Sequence, residues 1–361
     1  MADFRKLRVG ELRSETTDSV SVRLDFIDDS DAQDFQFAPG QYLTLKAIVD
    51  GVEVRRSYSI CSAPHESELR VGIKKVSNGV FSTYANEFLQ VGDEIESLPP
   101  LGRFVLPDSM EEGAHVVAMV AGSGITPVLS QIKHMLQNEK GPQVTLFYVN
   151  KTAANVMFKE ELQLLKDRYL NRFRLFHLLT QEPVDTELFS GRLDAERCGR
   201  ICKSNLIDVQ SITAAYLCGP QGMIEDCKSA LMLAGMDESQ IHFELFTTAS
   251  STAKSNPTES SIEKSSENKM LVQVVLDGIT TPLEINGNKT IMDAALDAGL
   301  DVPYSCLGGV CCTCRAKMVS GEVQMDVNYA LEPDEVAAGF VLTCQSRPKG
   351  EGPFVVDFDQ Q

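Results

Sequence analysis

The chain lacks the long apolar runs of a membrane protein and has little of the positive charge that a nucleic-acid-binding protein needs. Among its 361 residues there is no run of 18 or more apolar residues, which excludes a membrane-spanning helix. Positive charge is scarce, because 33 Lys and Arg stand against 51 Asp and Glu, for a net charge of −18. Such a surface repels polyanions, so we expect no nucleic acid and no anionic membrane as partner. The N-terminus also carries no apolar signal segment, which favours a cytoplasmic location.

Cysteine, in contrast, is abundant, and four of the ten cysteines carry the strongest signal in the chain. Cys306, Cys311 and Cys314 follow a C-x4-C-x2-C spacing, and Cys344 lies 30 positions further on. This is the spacing of a plant-type ferredoxin loop, in which four thiolates hold a [2Fe–2S] cluster. The sequence therefore predicts that these four cysteines are the ligands of an iron–sulfur cluster.

A structural zinc ion is the alternative, because four thiolates also suit Zn²⁺. Zinc sites usually contain two short C-x2-C pairs, whereas this loop has three clustered thiols and one remote thiol. Cys312 falls outside the ligand spacing and is predicted not to be a ligand. The other cysteines show no disulfide framework, which favours a reducing compartment. They are Cys61, Cys198, Cys202, Cys218 and Cys227.

Composition separates the C-terminal part of the chain from the rest. Residues 247–269 are rich in Ser and Thr with almost no apolar content, which predicts a flexible linker. Residues 270–361 contain strands around a helix that Thr290 caps and Gly299 ends, which predicts an α+β ferredoxin domain of the β-grasp type. This segment has 13 acidic against 5 basic residues, and that charge would attract a basic redox partner or simply aid solubility.

The preceding residues show two further patterns, so the chain is predicted to be multidomain. Residues 1–108 contain short alternating strands and one helix near Phe81–Phe88, which predicts an antiparallel β-barrel. Residues 109–246 contain buried strands alternating with helices over Pro127–Gln137 and Val156–Arg168. This pattern predicts a doubly wound α/β domain.

Two glycine turns in the α/β segment each follow a strand and precede a helix. One is Gly122–Pro127, and the other is Cys218–Pro220. Glycine allows close backbone approach to a pyrophosphate, and the free N–H groups of a helix N-terminus attract anions. Two such turns at the carboxyl ends of parallel strands can line one crevice. The alternative is that both are ordinary strand-to-helix turns.

In the barrel, the run Arg56-Ser-Tyr-Ser59 combines groups that suit a nucleotide cofactor. Strand geometry places Arg56 and Tyr58 on one face and Ser57 and Ser59 on the other. An arginine can pair with phosphate, a tyrosine can stack on a planar ring and a hydroxyl can bond ring atoms. Without its context, the run would be an ordinary surface strand.

Together and in this order, the motifs resemble the ferredoxin–NADP⁺ reductase superfamily with a C-terminal plant-type ferredoxin. The resemblance is closest to the family of reductase subunits of phenylacetyl-CoA epoxidase. It rests on Phe37–Leu45, Val302–Cys311, Asn328–Gln345 and Val355–Gln360.

The resemblance implies FAD and a pyridine nucleotide as cofactors, besides the cluster, and it assigns residues to both. The implied FAD contacts are Arg56, Ser57, Tyr58, Ser59, Gly72, Lys74, Gly79, Phe81 and Ser82. The implied nicotinamide-nucleotide contacts are Gly122, Gly124, Thr126, Pro127, Gly219 and Pro220. Ser59, Thr126, Cys218 and Glu244 would lie at the reacting rings, although Glu244 fits a plain strand end equally well.

The choice between NADPH and NADH depends on the ribose end of the coenzyme. An acidic residue about 20 positions after the glycine turn favours NADH, and the run Tyr148-Val-Asn-Lys-Thr152 contains none. Lys151 or Arg192 could accept a 2′-phosphate, and Thr180 begins a run of mixed character. The sequence therefore favours NADPH.

The resemblance implies an NAD(P)H-dependent reductase that feeds a separate oxygenase, with a di-iron epoxidase of phenylacetate degradation as the favoured acceptor. The chain has no pair of Glu-x-x-His motifs on helices, so the oxygen-activating iron is expected on another chain. A Rieske-type or ketosteroid hydroxylase, or a hybrid-cluster protein, is the alternative acceptor. A binding or sensing protein that keeps the fold without turnover is a third interpretation.

Overall fold

A computed structural model of the chain describes residues 4–107, 110–246, 269–286, 289–350 and 352–360. The chain divides into two compact units, of which Phe4–Phe246 is one and the chain beyond it the other. Apart from Lys269, the predicted linker lies outside the described residues. The predicted domain boundaries, at residues 108 and 246, stay predictions.

The first unit begins with six antiparallel strands in the spatial order β4-β3-β6-β1-β2-β5. An isolated bridge between Ile60 and Val71 joins the two edges, which closes the sheet into the predicted barrel. The elements are β1 (Arg5–Thr16), β2 (Ser19–Phe26), β3 (Tyr42–Val49), β4 (Val52–Ser59), β5 (Leu69–Lys74), α1 (Val80–Glu87) and β6 (Glu94–Ser97).

The same unit continues as a parallel sheet with helices, which confirms the doubly wound α/β prediction. The elements are β7 (His115–Ala121), α2 (Ile125–Gln137), β8 (Gln143–Asn150), α3 (Lys159–Arg168), β9 (Phe173–Leu179), α4 (Ala195–Cys202), β10 (Ile212–Gly219), α5 (Gln221–Leu233) and β11 (Ile241–Leu245). The strand order β11-β10-β7-β8-β9 reverses direction between β7 and β10. Such a switch point opens a ligand crevice at the carboxyl ends of the strands.

One helix starts later than the sequence predicted. The pattern predicted a helix over Val156–Arg168, but α3 begins at Lys159. Phe158 has φ +55°, in the left-handed region, so the backbone cannot enter a right-handed helix until the next residue. Val156 and Met157 are instead buried in the core of the α/β segment, which explains their apolar character.

Helix α2 joins the barrel to the α/β segment through three neighbouring side chains. Ser130 Oγ donates to the Ser62 carbonyl at 2.6 Å, and Gln131 Nε2 donates to the Phe104 carbonyl at 2.6 Å. The buried Lys133 ammonium pairs with Glu66 at 3.0 Å and also with a carboxylate of α3. The Lys133 pairs are charge-assisted and the ammonium itself is buried, so together with the two neutral bonds they fix the barrel against the nucleotide segment.

The second unit is a five-stranded mixed sheet with a short helix and an added two-stranded ribbon, as a β-grasp ferredoxin domain requires. The sheet order is β13-β12-β18-β14-β16, and only β12 and β18 are parallel. The elements are β12 (Lys269–Leu276), β13 (Ile279–Asn286), α6 (Ile291–Asp297), β14 (Arg315–Ser320), β15 (Glu322–Met325), α7 (Pro333–Ala337), β16 (Phe340–Leu342), β17 (Ser346–Lys349) and β18 (Phe354–Asp357).

The predicted cap of α6 is confirmed, since Thr290 Oγ1 accepts the Asp293 N–H at 3.1 Å, and Gly299 follows the helix with φ +75°. In the part of the chain that the structure describes, no helix is long and apolar enough to cross a membrane.

Candidate redox site

The two glycine turns meet at the switch point of the parallel sheet. Cys218 pairs in register with Val120, so β7 and β10 end side by side. A Cβ on Gly124 would lie 2.3 Å from the Cys218 carbonyl oxygen, closer than any real contact. Only a glycine therefore allows the first turn to pack on the second. The structure brings together the two motifs that the sequence placed in one crevice.

The first turn presents open backbone to the crevice. Gly122 has φ +55°, and a Cβ there would meet nothing within 4 Å, so there is room for a bound group. The Tyr148 hydroxyl donates to the Gly122 carbonyl at 2.9 Å, and Thr126 Oγ1 donates to the Ser123 carbonyl at 2.9 Å. These bonds orient the turn so that the N-terminus of α2, with Pro127 in its first turn, faces the space. The free N–H groups of such an end suit a pyrophosphate.

The barrel reaches this turn through β5. A Cβ on Gly72 would lie 2.5 Å from Cγ2 of Thr126 and 3.1 Å from the Phe158 ring. A residue predicted for the flavin and one predicted for the nicotinamide therefore touch, although they belong to different segments. This closeness is what hydride transfer between two cofactors requires.

On β4, the four residues of the Arg56–Ser59 run lie as the alternation predicted. Arg56 and Tyr58 pair with Leu45 and Leu43 of β3, so they share the side of the sheet that faces the barrel core. Burial raises the pKa of Tyr58 above its usual value. The Arg56 guanidinium bonds its neighbour's carbonyl at 2.6 Å and pairs with no carboxylate among the described residues. A half-buried guanidinium without a carboxylate partner is suited to pair with a phosphate group.

The segment after β5 supports this strand. Phe81 is buried, with its ring centroid 5.4 Å from that of Tyr58. Ser82 Oγ accepts the Val76 N–H at 3.1 Å and donates to the Gly79 carbonyl at 3.3 Å, which shapes the turn before α1. Lys74 lies 3.6 Å from Asp18. Phe81 therefore meets the predicted flavin site through Tyr58.

Glu244 and Cys218 lie side by side at the other wall of the crevice, in register on β11 and β10. Burial raises the pKa of Glu244 to about 8, and it raises the pKa of the Cys218 thiol as well. Oε2 of Glu244 is buried and has no hydrogen-bond partner among the described residues. An unpaired carboxyl oxygen at a crevice is available to a bound group.

Lys151 and Thr180, two of the residues predicted to sort the two coenzymes, directly follow β8 and β9. The Gln181 N–H donates to the Lys151 carbonyl at 2.8 Å, so Thr180 and Lys151 are neighbours. Lys151 and Arg192 are exposed. Glu182 accepts the Ala153 N–H at 2.7 Å and so adds a carboxylate to this edge. The edge carries both signs of charge, as the mixed sequence predicted.

In the second unit, the four predicted ligands form two pairs. The neighbouring Cys311 thiol lowers the pKa of Cys306, and the neighbouring Cys344 thiol raises the pKa of Cys314. Among the described residues, no three histidine, cysteine or carboxylate side chains are grouped as a single metal ion would need. A cluster with two irons takes two thiolates on each iron, so the paired arrangement fits a [2Fe–2S] cluster.

The loop around these thiols presents hydrogen-bond donors to sulfur. The Gly308 N–H donates to Cys306 Sγ at 3.3 Å, and Gln345 Nε2 donates to Cys344 Sγ at 3.4 Å. The Cys311 thiol and backbone N–H groups hold the pKa of Cys306 below its usual value. Cys312 instead donates its thiol to the Ala330 carbonyl at 3.0 Å, consistent with its prediction as a non-ligand.

Tyr148 and Gln345 are two residues of the site that were not predicted from the sequence. Tyr148 holds the first glycine turn, and its signal was a polar tip near the end of a largely apolar buried strand. Gln345 holds the cysteine loop, and its signal was an amide directly after the fourth cysteine.

Three domain families match the chain in succession. They are the oxidoreductase FAD-binding domain over residues 9–106, the oxidoreductase NAD-binding domain over residues 119–229 and the 2Fe-2S iron-sulfur cluster binding domain over residues 274–349. One of the subunits of 1,2-phenylacetyl-CoA epoxidase from Escherichia coli (strain K12) is 40% identical over 99% of each chain. The ferredoxin reductase component of 3-ketosteroid-9-alpha-monooxygenase from Rhodococcus rhodochrous is 33% identical over 95% of this chain and 93% of its own.

The chain belongs to the ferredoxin–NADP⁺ reductase superfamily with a C-terminal [2Fe–2S] domain. This reductase is an NAD(P)H-dependent flavin and iron–sulfur oxidoreductase, and its electrons pass from NAD(P)H through FAD to the cluster. The solved structure of phthalate dioxygenase reductase has the same three-part fold, with a TM-score of 0.59, 23% identity and 98% of each chain covered. The predictions of FAD, a pyridine nucleotide and a [2Fe–2S] cluster are confirmed, and the zinc alternative is wrong, whereas the choice of NADPH stays a prediction. The individual site residues stay predictions.

We expect Cys344→Ser to lose the cluster and to keep flavin-dependent reduction of a dye, because the flavin half lies in the other compact unit. Iron per chain and the rate of dye reduction by NADPH measure the two effects. Cys312→Ser is the matched control and should keep its iron. Full iron content in the Cys344 variant would contradict the ligand assignment.

We expect Arg56→Ala to release FAD, because the guanidinium would be the cation that pairs with the cofactor's phosphate. The Kd for FAD should rise at least about tenfold, equal to about 1.4 kcal/mol of binding, and the flavin-to-protein ratio after gel filtration should fall below that of the native chain. Arg8→Ala, at an exposed position on the same barrel, is the control. An unchanged ratio in the Arg56 variant would reject the assignment.

Proposed function

We propose that this chain is the reductase component of a phenylacetyl-CoA epoxidase system and passes electrons to a separate oxygenase component of the di-iron type. The observation that carries the proposal is the 40% identity to the Escherichia coli epoxidase chain, over 99% of both sequences. The ketosteroid and glycine betaine reductases reach only 33% and 28%. A ketosteroid-type oxygenase is the second candidate acceptor.

The barrel residues would hold FAD. When bound, FAD and the cluster supply the conversion of one hydride into two single electrons. Arg56 pairs with the flavin nucleotide's phosphate, Tyr58 flanks the ring and Ser59 bonds its edge. Phe81 keeps Tyr58 in place through ring contact at 5.4 Å.

The crevice between β7 and β10 would hold the nicotinamide half of the coenzyme. The backbone at Gly122 leaves room for it, whereas Gly219 packs against Met223, and the N-terminus of α2 binds the pyrophosphate. Thr126 and Cys218 flank the ring and exclude water, since both side chains are buried. The Glu244 carboxyl, unpaired at Oε2, is the polar group that orients it.

The four cysteines would hold the cluster, two on each iron, as their pairing supports. The ferredoxin segment has a charge of −8, from 13 acidic and 5 basic residues after residue 269. Such a surface favours association with a basic docking face on the acceptor and makes the association rate salt-dependent. The cytoplasmic location stays a prediction, supported by the ten cysteines, none of which forms a disulfide.

Reconstitution with separate acceptors tests the proposed function. The reductase is mixed with the oxygenase components of phenylacetyl-CoA epoxidase or of 3-ketosteroid-9-alpha-monooxygenase, and product is measured with NADPH. We expect kcat/KM for the epoxidase to exceed that for the ketosteroid enzyme at least about tenfold, a difference of about 1.4 kcal/mol. Cytochrome c reduction by the same preparation controls for flavin and cluster content. Equal rates, or a higher rate with the ketosteroid enzyme, would overturn the assignment.

NADPH is the proposed coenzyme, because Lys151 and Arg192 are exposed cations without a carboxylate partner among the described residues. Lys151→Ala, combined with Arg192→Ala, should raise the KM for NADPH about tenfold and leave the KM for NADH unchanged. Glu244→Gln is the matched comparison and should slow flavin reduction by both coenzymes equally, since the nicotinamide half is common to them. Stopped-flow flavin reduction measures both. A native preference for NADH would contradict the proposal.

A further inference from the structure

Gln345 is the residue directly after the fourth predicted ligand, and its side chain points back into the cysteine loop. It lies in the turn between β16 and β17 and is only 9% exposed. Nε2 carries two hydrogens and lies within hydrogen-bond distance of three acceptors, the Cys344 sulfur at 3.4 Å, the Cys344 carbonyl at 3.0 Å and the Leu307 carbonyl at 3.0 Å, so one hydrogen is shared. The side chain is therefore bound to both ends of the ligand set, 38 residues apart in sequence.

The chemistry of the neighbours fixes which end of the amide faces the sulfur. A carbonyl oxygen accepts hydrogen bonds, and so does a cysteine sulfur, so all three neighbours are acceptors. An amide that presented its oxygen there would meet three repulsive contacts. The NH₂ group must therefore face Cys344, and it stays there because the backbone of Gln345 is held at both its N–H and its carbonyl.

The same amide stabilises a strained part of the loop. Leu307 follows the first ligand and has φ +53°, a left-handed conformation that costs a leucine free energy. Its carbonyl is held by Nε2 of Gln345, and a Cβ on the nearby Gly309 would lie only 3.1 Å from Cγ of Gln345.

We propose that Gln345 is a positioning residue that donates a hydrogen bond to the Cys344 sulfur and thereby raises the reduction potential of the cluster. The inference rests on the proposed assignment of Cys344 as a ligand. Reduction adds negative charge to the cluster and its thiolates, and a fixed N–H donor stabilises the reduced state more than the oxidised one. By raising the potential of the cluster, Gln345 favours electron transfer from the flavin to the cluster.

Gln345→Met tests this role, because methionine has nearly the same length and volume and no N–H donor. We expect the purified holoprotein to keep its iron and its cluster absorbance. The equilibrium between its cluster and a redox mediator should shift about tenfold toward the oxidised cluster, which is about 59 mV for a one-electron couple. Spectroelectrochemical titration measures the potential directly, without turnover.

Two further variants separate tuning from packing. Gln324→Met makes the same chemical change at an exposed position of the neighbouring β15 and should leave the potential unchanged. Gln345→Lys keeps N–H donors at a similar reach, so its potential should equal or exceed that of the native chain. If the methionine variant fails to take up a cluster, the lysine variant carries the test.

A cluster-loaded Gln345→Met protein with native potential would overturn the inference and leave the ligand assignment intact. A lysine variant with a lowered potential would overturn it too. Loss of the cluster from both variants would show that Gln345 holds the loop rather than tunes it, which also rejects the proposed role. Failure of the ligand assignment itself is visible elsewhere, as full iron content in Cys344→Ser.

Discussion

The contact between Gly124 and the backbone of Cys218 is the constraint on which the nucleotide crevice depends. A side-chain carbon would approach the Cys218 carbonyl to 2.3 Å, so the two strand ends can lie together only if one turn has no side chain. Their closeness places the helix N-terminus, Thr126 and Cys218 around one space. The neighbouring Gly72 does the same for the barrel, because it lets β5 touch Thr126. Two missing side chains thus bring the flavin and nicotinamide halves within reach of each other.

Hydride transfer requires the two reacting rings to be placed to within a fraction of an ångström. In the first unit, the bonds between α2 and the barrel hold the two cofactor sites in such a fixed arrangement. Ser130 and Gln131 bond barrel carbonyls at 2.6 Å, and Lys133 pairs with Glu66 in a shielded position. These contacts come from one helix, the same helix whose first turn faces the crevice. The element that binds the coenzyme therefore also fixes the barrel, and a shift of α2 would disturb both functions at once.

The sequence predicted a functional site correctly where the residues that form it are close together in the chain. The spacing of Cys306, Cys311 and Cys314 predicted the cluster, because a short loop that gathers thiolates leaves its pattern in the chain itself. The start of α3 was not predictable, because the left-handed Phe158 is imposed by packing of Val156 and Met157 against distant strands. The contact of Gly72 with Thr126 was also hidden, since nothing local relates residues 54 positions apart. Alternation could place Arg56 and Tyr58 on one face but could not identify the residues opposite them.

Buried polar groups complete the cysteine loop, and their satisfaction explains why the loop keeps one shape. Thr313 Oγ1 donates to the Cys311 carbonyl at 3.3 Å, and Thr343 Oγ1 donates to the Cys314 carbonyl at 2.9 Å. An unpaired hydroxyl or amide in this interior would cost about 1–3 kcal/mol, so each bond penalises any other arrangement of the backbone. The amide of Gln345 is also hydrogen-bonded in this interior, but one of its acceptors is the sulfur of a proposed cluster ligand, whose negative charge increases when the cluster is reduced. The amide that fixes the conformation of the loop therefore also lies where it can change the reduction potential of the cluster.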